Sequence, residues 1–310
     1  MCSRRSEHTV LIRGISYGAA GPSLDFTGVE GNAALQLRAG DWLRFSVEGG
    51  PRRCLGIFTV LGPTTAEHHP CAGAAPAARG YQCGSCFARD DFRLVHNVHR
   101  DTGPGAALPP GLASYLSQEH WLYIATFADG SSKVGTASSR SKFSRLAEQG
   151  AVVACYVAAA QDGRIVRILE DAVSGGLSLT QRIRAAVKSA ALLAPRPDHE
   201  LSSINDRQAG AVREFLKSVN LAGFRIVDEE WKRPSFGAAL CRPGTRYAYP
   251  QALESGAHGL QLVSLLGSCA LVRLDASDAD FLLDLGRLKG RTIRPGNFCS
   301  AAPALQERLF

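Results

Sequence analysis

Long hydrophobic runs are missing from this chain of 310 residues. No stretch approaches the roughly 18 consecutive apolar residues that a membrane-spanning helix needs. The first residues, MCSRRSEHTVLIRGIS, carry charges but lack the continuous apolar core of a secretory signal. Internal repeats and low-complexity tails are also absent from the sequence. We therefore expect a globular protein of the cytoplasm that has no membrane partner.

Acidic residues are fewer than basic ones, 28 against 35, which gives a formal net charge of +7 and a pI near 9.0. The excess is concentrated between residues 133 and 190, where nine basic side chains stand against four acidic ones, a local balance of +5. A single arginine in this window is most simply a solvated helix residue. The concentration of positive charge nevertheless favours an anionic partner, and nucleic acid is the one we expect.

Hydrophobic periodicity predicts an α+β fold. With 45% hydrophobic residues, the chain can bury a substantial core and divide into several domains. Residues 118–176 predict the order strand, strand, helix, strand, helix, with an Asp-Gly hairpin turn between the first two strands. The predicted layout begins with a β-rich N-terminal segment (1–60), a loop-rich Cys/His segment (61–117) and a central α/β domain (118–176). A connector of two helices (177–222), with Ser178 and Asn205 as the predicted caps, then leads to a small β-rich C-terminal domain (223–310).

Nine cysteines in a chain without a secretory signal predict thiols or metal ligands rather than disulfides. Cys83 and Cys86 are separated by two residues, a spacing that lets two thiolates face one zinc ion. Cys54 and Cys71 lie nearest to them in the sequence and would complete a four-cysteine structural zinc site. A redox dithiol is an alternative for the Cys83 and Cys86 pair. Four histidines remain as rival zinc ligands: His68, His69, His96 and His99.

One segment, residues 120–151, carries a resemblance to a known family. Its sequence, HWLYIATFADGSSKVGTASSRSKFSRLAEQGA, has a tyrosine on one predicted strand, Lys-Val-Gly on the next and an arginine on the following helix. A glutamate lies on a later predicted helix. This order resembles the GIY-YIG nuclease superfamily. The whole chain, with its upstream cysteine cluster, resembles a bacterial family described only as a domain of unknown function.

The resemblance implies a role for four residues in particular. Tyr123 corresponds to the first tyrosine of the family pattern, and Lys133 begins the second triplet. Arg145 corresponds to the helix arginine, with Arg140 as its rival because the spacing after the second triplet is longer than usual. Glu170 corresponds to the glutamate that binds magnesium or manganese. Lys133 departs from the pattern, since most members have a second tyrosine there.

These residue types suit metal-dependent hydrolysis of phosphodiester bonds in DNA or RNA. Glu170 would bind the divalent ion, which prefers carboxylate and water oxygens. Arg145 would hold a nonbridging phosphate oxygen, and Lys133 would favour the phenolate of Tyr123. A small-molecule phosphoester is an alternative substrate. Further nucleic-acid contacts are expected from Arg140, Lys142, Gln149 and Arg164.

Two other functions stay open, and Lys133 together with a second departure from the family pattern favours the first of them. Gln149 stands where many members have histidine or tyrosine, and a glutamine cannot take a proton from water at neutral pH. The chain would then be a non-catalytic, zinc-containing nucleic-acid-binding protein that retains the nuclease fold. The remaining alternative is a partner-binding scaffold whose basic surface is incidental.

Overall fold

The computed structural model describes residues 9–101, 108–275 and 277–301. Within these ranges, the strands are β1 (Val10–Gly18), β2 (Gly21–Gly28), β3 (Gly31–Gln36), β4 (Trp42–Val47), β5 (Ile57–Val60), β6 (Ala66–His69), β7 (His120–Thr126), β8 (Ser132–Ser138), β9 (Val153–Ala160), β10 (Phe224–Glu230), β11 (Tyr247–Ala248), β12 (Gly256–Leu266), β13 (Cys269–Leu274), β14 (Ser277–Asp284) and β15 (Thr292–Pro295). The helices are α1 (Gly84–Arg89), α2 (Asp91–Asp101), α3 (Pro110–Leu116), α4 (Lys142–Gln149), α5 (Gly163–Leu177), α6 (Ala185–Ala191), α7 (Asp198–Lys217) and α8 (Ala238–Cys241). The fold is therefore mixed α+β, and no helix in the described ranges has both the length and the apolar character to cross a membrane.

One large sheet joins the two ends of the chain. Its nine strands follow the order β11-β14-β13-β12-β4-β15-β1-β2-β3. β4 pairs antiparallel with β12 on one side and with β15 on the other. The sequence predicted an N-terminal β segment and a separate C-terminal β domain, whereas their strands share this one sheet. Such pairing joins distant residues and leaves no local signal in the sequence.

A smaller sheet carries the candidate site. Its order is β10-β9-β7-β8, so β7 is an inner strand. Side chains alternate across β7, as they must in any strand. Trp121 and Tyr123 enter a core shared with the nine-stranded sheet, while Leu122 and Ile124 enter a second core beneath α5 and α7. Both faces of β7 are therefore buried.

The order of elements in residues 120–177 is the one that the hydrophobic pattern predicts: β7, β8, α4, β9 and α5. The connector also contains two helices, α6 and α7, but both predicted caps are wrong. Ser178 ends α5 in the left-handed region, with φ 53°. Asn205 lies inside α7, fully buried, and donates to the carbonyl of Ile124 at 3.3 Å and to the Thr126 hydroxyl at 3.0 Å. Its amide ties α7 to β7 instead of capping a helix.

The Cys/His segment is more regular than its sequence suggests. The structure places β6, α1, α2 and α3 between residues 66 and 116, where the sequence predicted mostly loops. Phe92 and Tyr115 pack against a small core that includes Val60 and Leu112. Helix α1 carries Cys86 and is preceded directly by Cys83, while α2 and α3 carry Phe92 and Tyr115.

Candidate functional site

Four cysteines form one compact group. The sulfur atoms of Cys54, Cys71, Cys83 and Cys86 all lie within 4.8 Å of one another. Thiolates that surround one zinc ion at about 2.3 Å would be separated by about 3.8 Å, so small adjustments would close this group around a single ion. The cysteines that the sequence places far apart thus come together in the fold, and they could hold a metal ion.

Backbone amides shape the cysteine group. The amide of Gly56 donates to the Cys54 sulfur at 3.4 Å, and the amide of Cys86 donates to the Cys83 sulfur at 3.5 Å. The second bond lowers the pKa of Cys83 to about 7, because an N–H donor favours the thiolate. Gly56 has a φ of +86°, and a Cβ there would lie 2.0 Å from the carbonyl oxygen of His69. The turn after Cys54 therefore requires glycine.

The rival histidine ligands lie outside this group. The Nε2 atom of His68 is 2.5 Å from the Leu55 carbonyl oxygen, and its Nδ1 atom is 3.2 Å from Asn32 Oδ1. His99 contacts a carboxylate oxygen of Asp171 at 3.0 Å. The nearest charged partner of His69 is Glu67, at 3.8 Å. Among the described residues, none of these histidines joins the cysteines, and the side chain of His96 lies outside the described part of the chain.

Tyr123 and Gly135 form the centre of the second candidate site. They lie directly opposite each other on β7 and β8, and Tyr123 is fully buried. A Cβ at Gly135 would lie 2.4 Å from the Tyr123 hydroxyl oxygen and 2.5 Å from its Cζ atom. The glycine of the Lys-Val-Gly triplet is therefore required by the tyrosine ring on the neighbouring strand.

Lys133 shares the face of the sheet on which Tyr123 lies. Its Nζ atom is 5.7 Å from the centre of the Tyr123 ring. Burial lowers the pKa of Lys133 to about 8, and the positive charge of Arg145 acts in the same direction. Burial also raises the pKa of Tyr123, although Arg145 favours its phenolate. Tyr123 is thus a neutral phenol, and Arg145, rather than the predicted Lys133, is the main cation acting on its hydroxyl.

Glu170 completes the predicted cluster from α5. It is 6% exposed, and its charge acts on both Tyr123 and Lys133. Its Oε2 atom accepts a hydrogen bond from Nη1 of Arg167 at 2.7 Å. Among the described residues, Glu170 belongs to no group of three or more side chains that could hold a metal ion. A magnesium or manganese ion would compete with Arg167 for this carboxylate, so the geometry gives the predicted catalytic ion no support.

A cleft of about 460 Å³ lies beside the cluster. Four basic side chains line it against one acidic one, Glu148, a balance of +3. Arg145 connects the cleft to the sheet, because it lines the cleft and its charge also reaches the Tyr123 hydroxyl. Two of these basic residues, Arg167 and Lys289, are not among the site residues predicted from the sequence. The four are Arg140, Arg145, Arg167 and Lys289.

Three of the residues expected to contact nucleic acid do not line this cleft. Lys142 pairs with Glu229 at 2.6 Å and lies over the Trp121 ring at 3.2 Å. Gln149 accepts a hydrogen bond from Lys133 at 3.4 Å. Arg164 is half-buried at the start of α5. Of the four predicted contacts, only Arg140 belongs to the cleft.

Two signals in the sequence could have identified Arg167 as a site residue. Arg167 lies three residues before Glu170, which is the spacing of neighbours on one helix face. It also belongs to the basic window between residues 133 and 190. Lys289 offered no comparable signal, because it enters the cleft from the turn between β14 and β15.

Comparisons with protein-family models, curated proteins and solved structures find no match to this chain. The resemblance to GIY-YIG nucleases therefore stays a prediction from the sequence of residues 120–171. The features that bear on function are therefore the two sites, namely the cysteine group and the basic cleft.

Proposed function

We propose that the protein binds nucleic acid in the basic cleft, through contacts with the phosphate backbone. The convergence of four cationic side chains on one cleft carries this proposal. Phosphate is a fitting ligand because the planar fork of an arginine matches two phosphate oxygens at once. The resemblance to a nuclease superfamily supports the same class of ligand.

Arg145 is the best placed of the four cations for a phosphate. Arg167 already pairs with Glu170, whereas Arg145 forms no ion pair among the described residues. It is half-buried, so its guanidinium has lost part of its hydration. A charge in such a position interacts more strongly with a phosphate than a fully solvated one does. We therefore expect Arg145 to contribute more than the exposed Arg140.

Salt dependence of binding tests this proposal. Phosphate contacts release counterions, so affinity for an oligonucleotide falls as salt rises, with a slope of about 0.7 to 0.9 per contact. Arg140→Ala combined with Arg145→Ala should flatten that slope by almost two contacts. The matched control is Arg273→Ala, which removes an exposed arginine of β13 outside the cleft. A salt-independent wild type, or an equal effect of the control, would contradict the proposal.

The cysteine group is proposed to hold one structural zinc ion. Four thiolates without an open position are the donor set of structural rather than catalytic zinc. The segment that carries these cysteines also supplies Phe58 and Phe92 to the cleft wall. When bound, zinc would fix the fold of that segment and, through it, the shape of the cleft.

Metal-dependent phosphodiester hydrolysis is a second candidate. The observation that favours it is the electrostatic link among Tyr123, Lys133, Arg145 and Glu170. A phosphate held by Arg145 would lie close to this cluster. A divalent ion, if Glu170 released Arg167 to bind one, would supply charge neutralisation on the phosphate oxygens.

A nuclease assay with magnesium or manganese separates binding from hydrolysis. The informative variant is Glu170→Gln, because the amide oxygen still accepts a hydrogen bond from Arg167 while the carboxylate charge is lost. If the protein is an enzyme, this variant loses cleavage and keeps oligonucleotide binding. If wild-type protein cleaves neither DNA nor RNA with either ion, the hydrolysis candidate fails and binding remains the proposed function.

A further inference from the structure

Part of the cleft wall is aromatic. Phe58, Phe92, Tyr115 and His120 all line the cleft, and their rings form a continuous row. The ring centres are 5.5 Å apart for Phe58 and Phe92, and 6.1 Å apart for Phe92 and Tyr115. Tyr115 and His120 follow at 5.5 Å. A basic cleft thus includes a row of four rings that is not needed for contacts with phosphate.

Three of these rings are held firmly but remain partly accessible, whereas His120 is buried. Phe58, Phe92 and Tyr115 are half-buried. Phe92 and Tyr115 pack against the core formed by Val60, Val95, Leu112 and Leu116. Because their positions are fixed before any ligand arrives, binding a flat group against them would cost little conformational entropy.

We propose that the cleft binds an unpaired nucleotide of a single strand, with its phosphate held by the arginines and its base stacked on one ring of the aromatic row, because the rings meet edge to face and share no flat surface. This inference rests on the proposed function and specifies its substrate class. The faces of bases are available for stacking only where the strand is unpaired, since a duplex already stacks them internally. Aromatic rings combined with a basic groove are the arrangement by which proteins bind single strands without sequence preference.

The size of the cleft agrees with this occupant. Its volume of about 460 Å³ lies within the range of sites that enclose one small ligand, roughly 300 to 1,000 Å³. A duplex, whose major groove alone is about 12 Å wide, is much larger than a cavity of about 460 Å³ and cannot be enclosed by it. A single base with its sugar and phosphate is therefore the part of a nucleic acid that can enter.

Three labelled probes separate stacking from charge. The first is a single strand of about 16 nucleotides, the second is an abasic strand of the same length, and the third is the corresponding duplex. Stacking contributes about 1 to 3 kcal/mol per base, so we expect the normal strand to bind about 5 to 150 times more tightly than the abasic strand. We expect it to exceed the duplex as well. DNA and RNA versions of each probe show which sugar the cleft prefers.

The results distinguish this inference from the proposed function. Equal, salt-sensitive binding of the normal and abasic strands would overturn the stacking inference and leave phosphate binding intact. Tighter binding of the duplex would overturn it in the same way. If no probe shows salt-sensitive binding, the proposed function itself fails.

Tyr115 provides the decisive variants. Tyr115→Leu keeps an apolar side chain against the small core but removes the ring, and it should abolish most of the preference for the normal strand over the abasic one. Tyr115→Phe keeps the ring and should retain the preference. Tyr247→Leu is the control, because Tyr247 is 46% exposed and lies on β11, outside the cleft. An unchanged preference in both Tyr115→Leu and Phe92→Leu would overturn the inference.

Discussion

Replacing Gly135 with alanine tests the packing on which the Tyr123 site depends. The new Cβ would lie 2.4, 2.5 and 2.8 Å from the Oη, Cζ and Cε2 atoms of Tyr123, all closer than such atoms can approach. The ring has little room to move, because it is fully buried and packs edge-on against Tyr156 with ring centres 6.5 Å apart. Either β7 and β8 must separate locally or the tyrosine must leave its rotamer.

The expected cost follows from two opposing contributions. Overpacking a well-filled core costs about 1 to 3 kcal/mol, and replacing glycine by alanine in a strand returns about 0.5 to 1 kcal/mol. Because three contacts would be shorter than 3.0 Å, the overpacking cost should lie in the upper half of its range, and we expect Gly135→Ala to lower the free energy of unfolding by about 1 to 2.5 kcal/mol, measured by urea denaturation. Gly18→Ala is the matched control, since Gly18 ends β1 and a Cβ at this position would have no atom within 4 Å.

A double-mutant cycle identifies the clash as its cause. In a Tyr123→Leu background, the Cβ of alanine no longer meets a ring, so the cost of Gly135→Ala should disappear or change sign. An equal cost in both backgrounds would show that the tyrosine is not the reason for the glycine. Unchanged stability in the single variant would refute the geometry itself.

Three further predictions concern the metal, a buried charge and a buried hydroxyl. Purified protein should contain about one zinc ion per chain; Cys83→Ser should lower this content in a metal assay, while Cys155→Ser, at a buried position on β9, should not. Burial lowers the pKa of Lys133 to about 8 from an ordinary 10.5, so between these pH values the unfolded chain binds a proton that the folded chain has lost. The free energy of unfolding should therefore rise by up to about 3 kcal/mol as the pH is raised from 8 to 10.5. Lys133→Met should remove this contribution. Tyr123→Phe should leave the free energy of unfolding unchanged or raise it by up to about 1 kcal/mol. The reason is that the buried hydroxyl has no hydrogen-bond partner at normal geometry among the described residues. A clear loss of stability in this variant would contradict the prediction.

Local signals in the sequence were sufficient for the small sheet and its helices. β7 and β9 are apolar runs, and an Asp-Gly turn joins β7 to β8; Gly130 in this turn has a φ of +87°, as the Asp-Gly pair suggests. The pairing of β4 with β12 and β15 had no such signal, because strand partners are chosen by tertiary packing. Polar residues were equally ambiguous: Asn205 reads as a helix cap but forms buried hydrogen bonds.

The two candidate sites differ in how far the sequence predicts them. The cysteine group could be anticipated because Cys83 and Cys86 already have the spacing of a zinc knuckle. The cleft could not be anticipated in this way, because Phe58 precedes the central domain in the sequence and Lys289 follows it. Of the cleft's four basic residues, only Arg140 and Arg145 lie within residues 120–151, the segment that carries the family resemblance.

The two residues that depart from the GIY-YIG pattern, Lys133 and Gln149, are hydrogen-bonded to each other. In the sequence they counted as separate arguments against catalysis, but Nζ of Lys133 donates to Oε1 of Gln149 at 3.4 Å and to the carbonyl of Gln181 at 3.3 Å. A buried ammonium needs acceptors of this kind, and a neutral amide satisfies it without raising its pKa as a carboxylate would. Burial, followed by the positive charge of Arg145, lowers the pKa of Lys133 to about 8. Burial thus acts on the two groups in opposite senses of charge: it lowers the pKa of the Lys133 ammonium and raises the pKa of the Tyr123 phenol, so that it favours the neutral form of both.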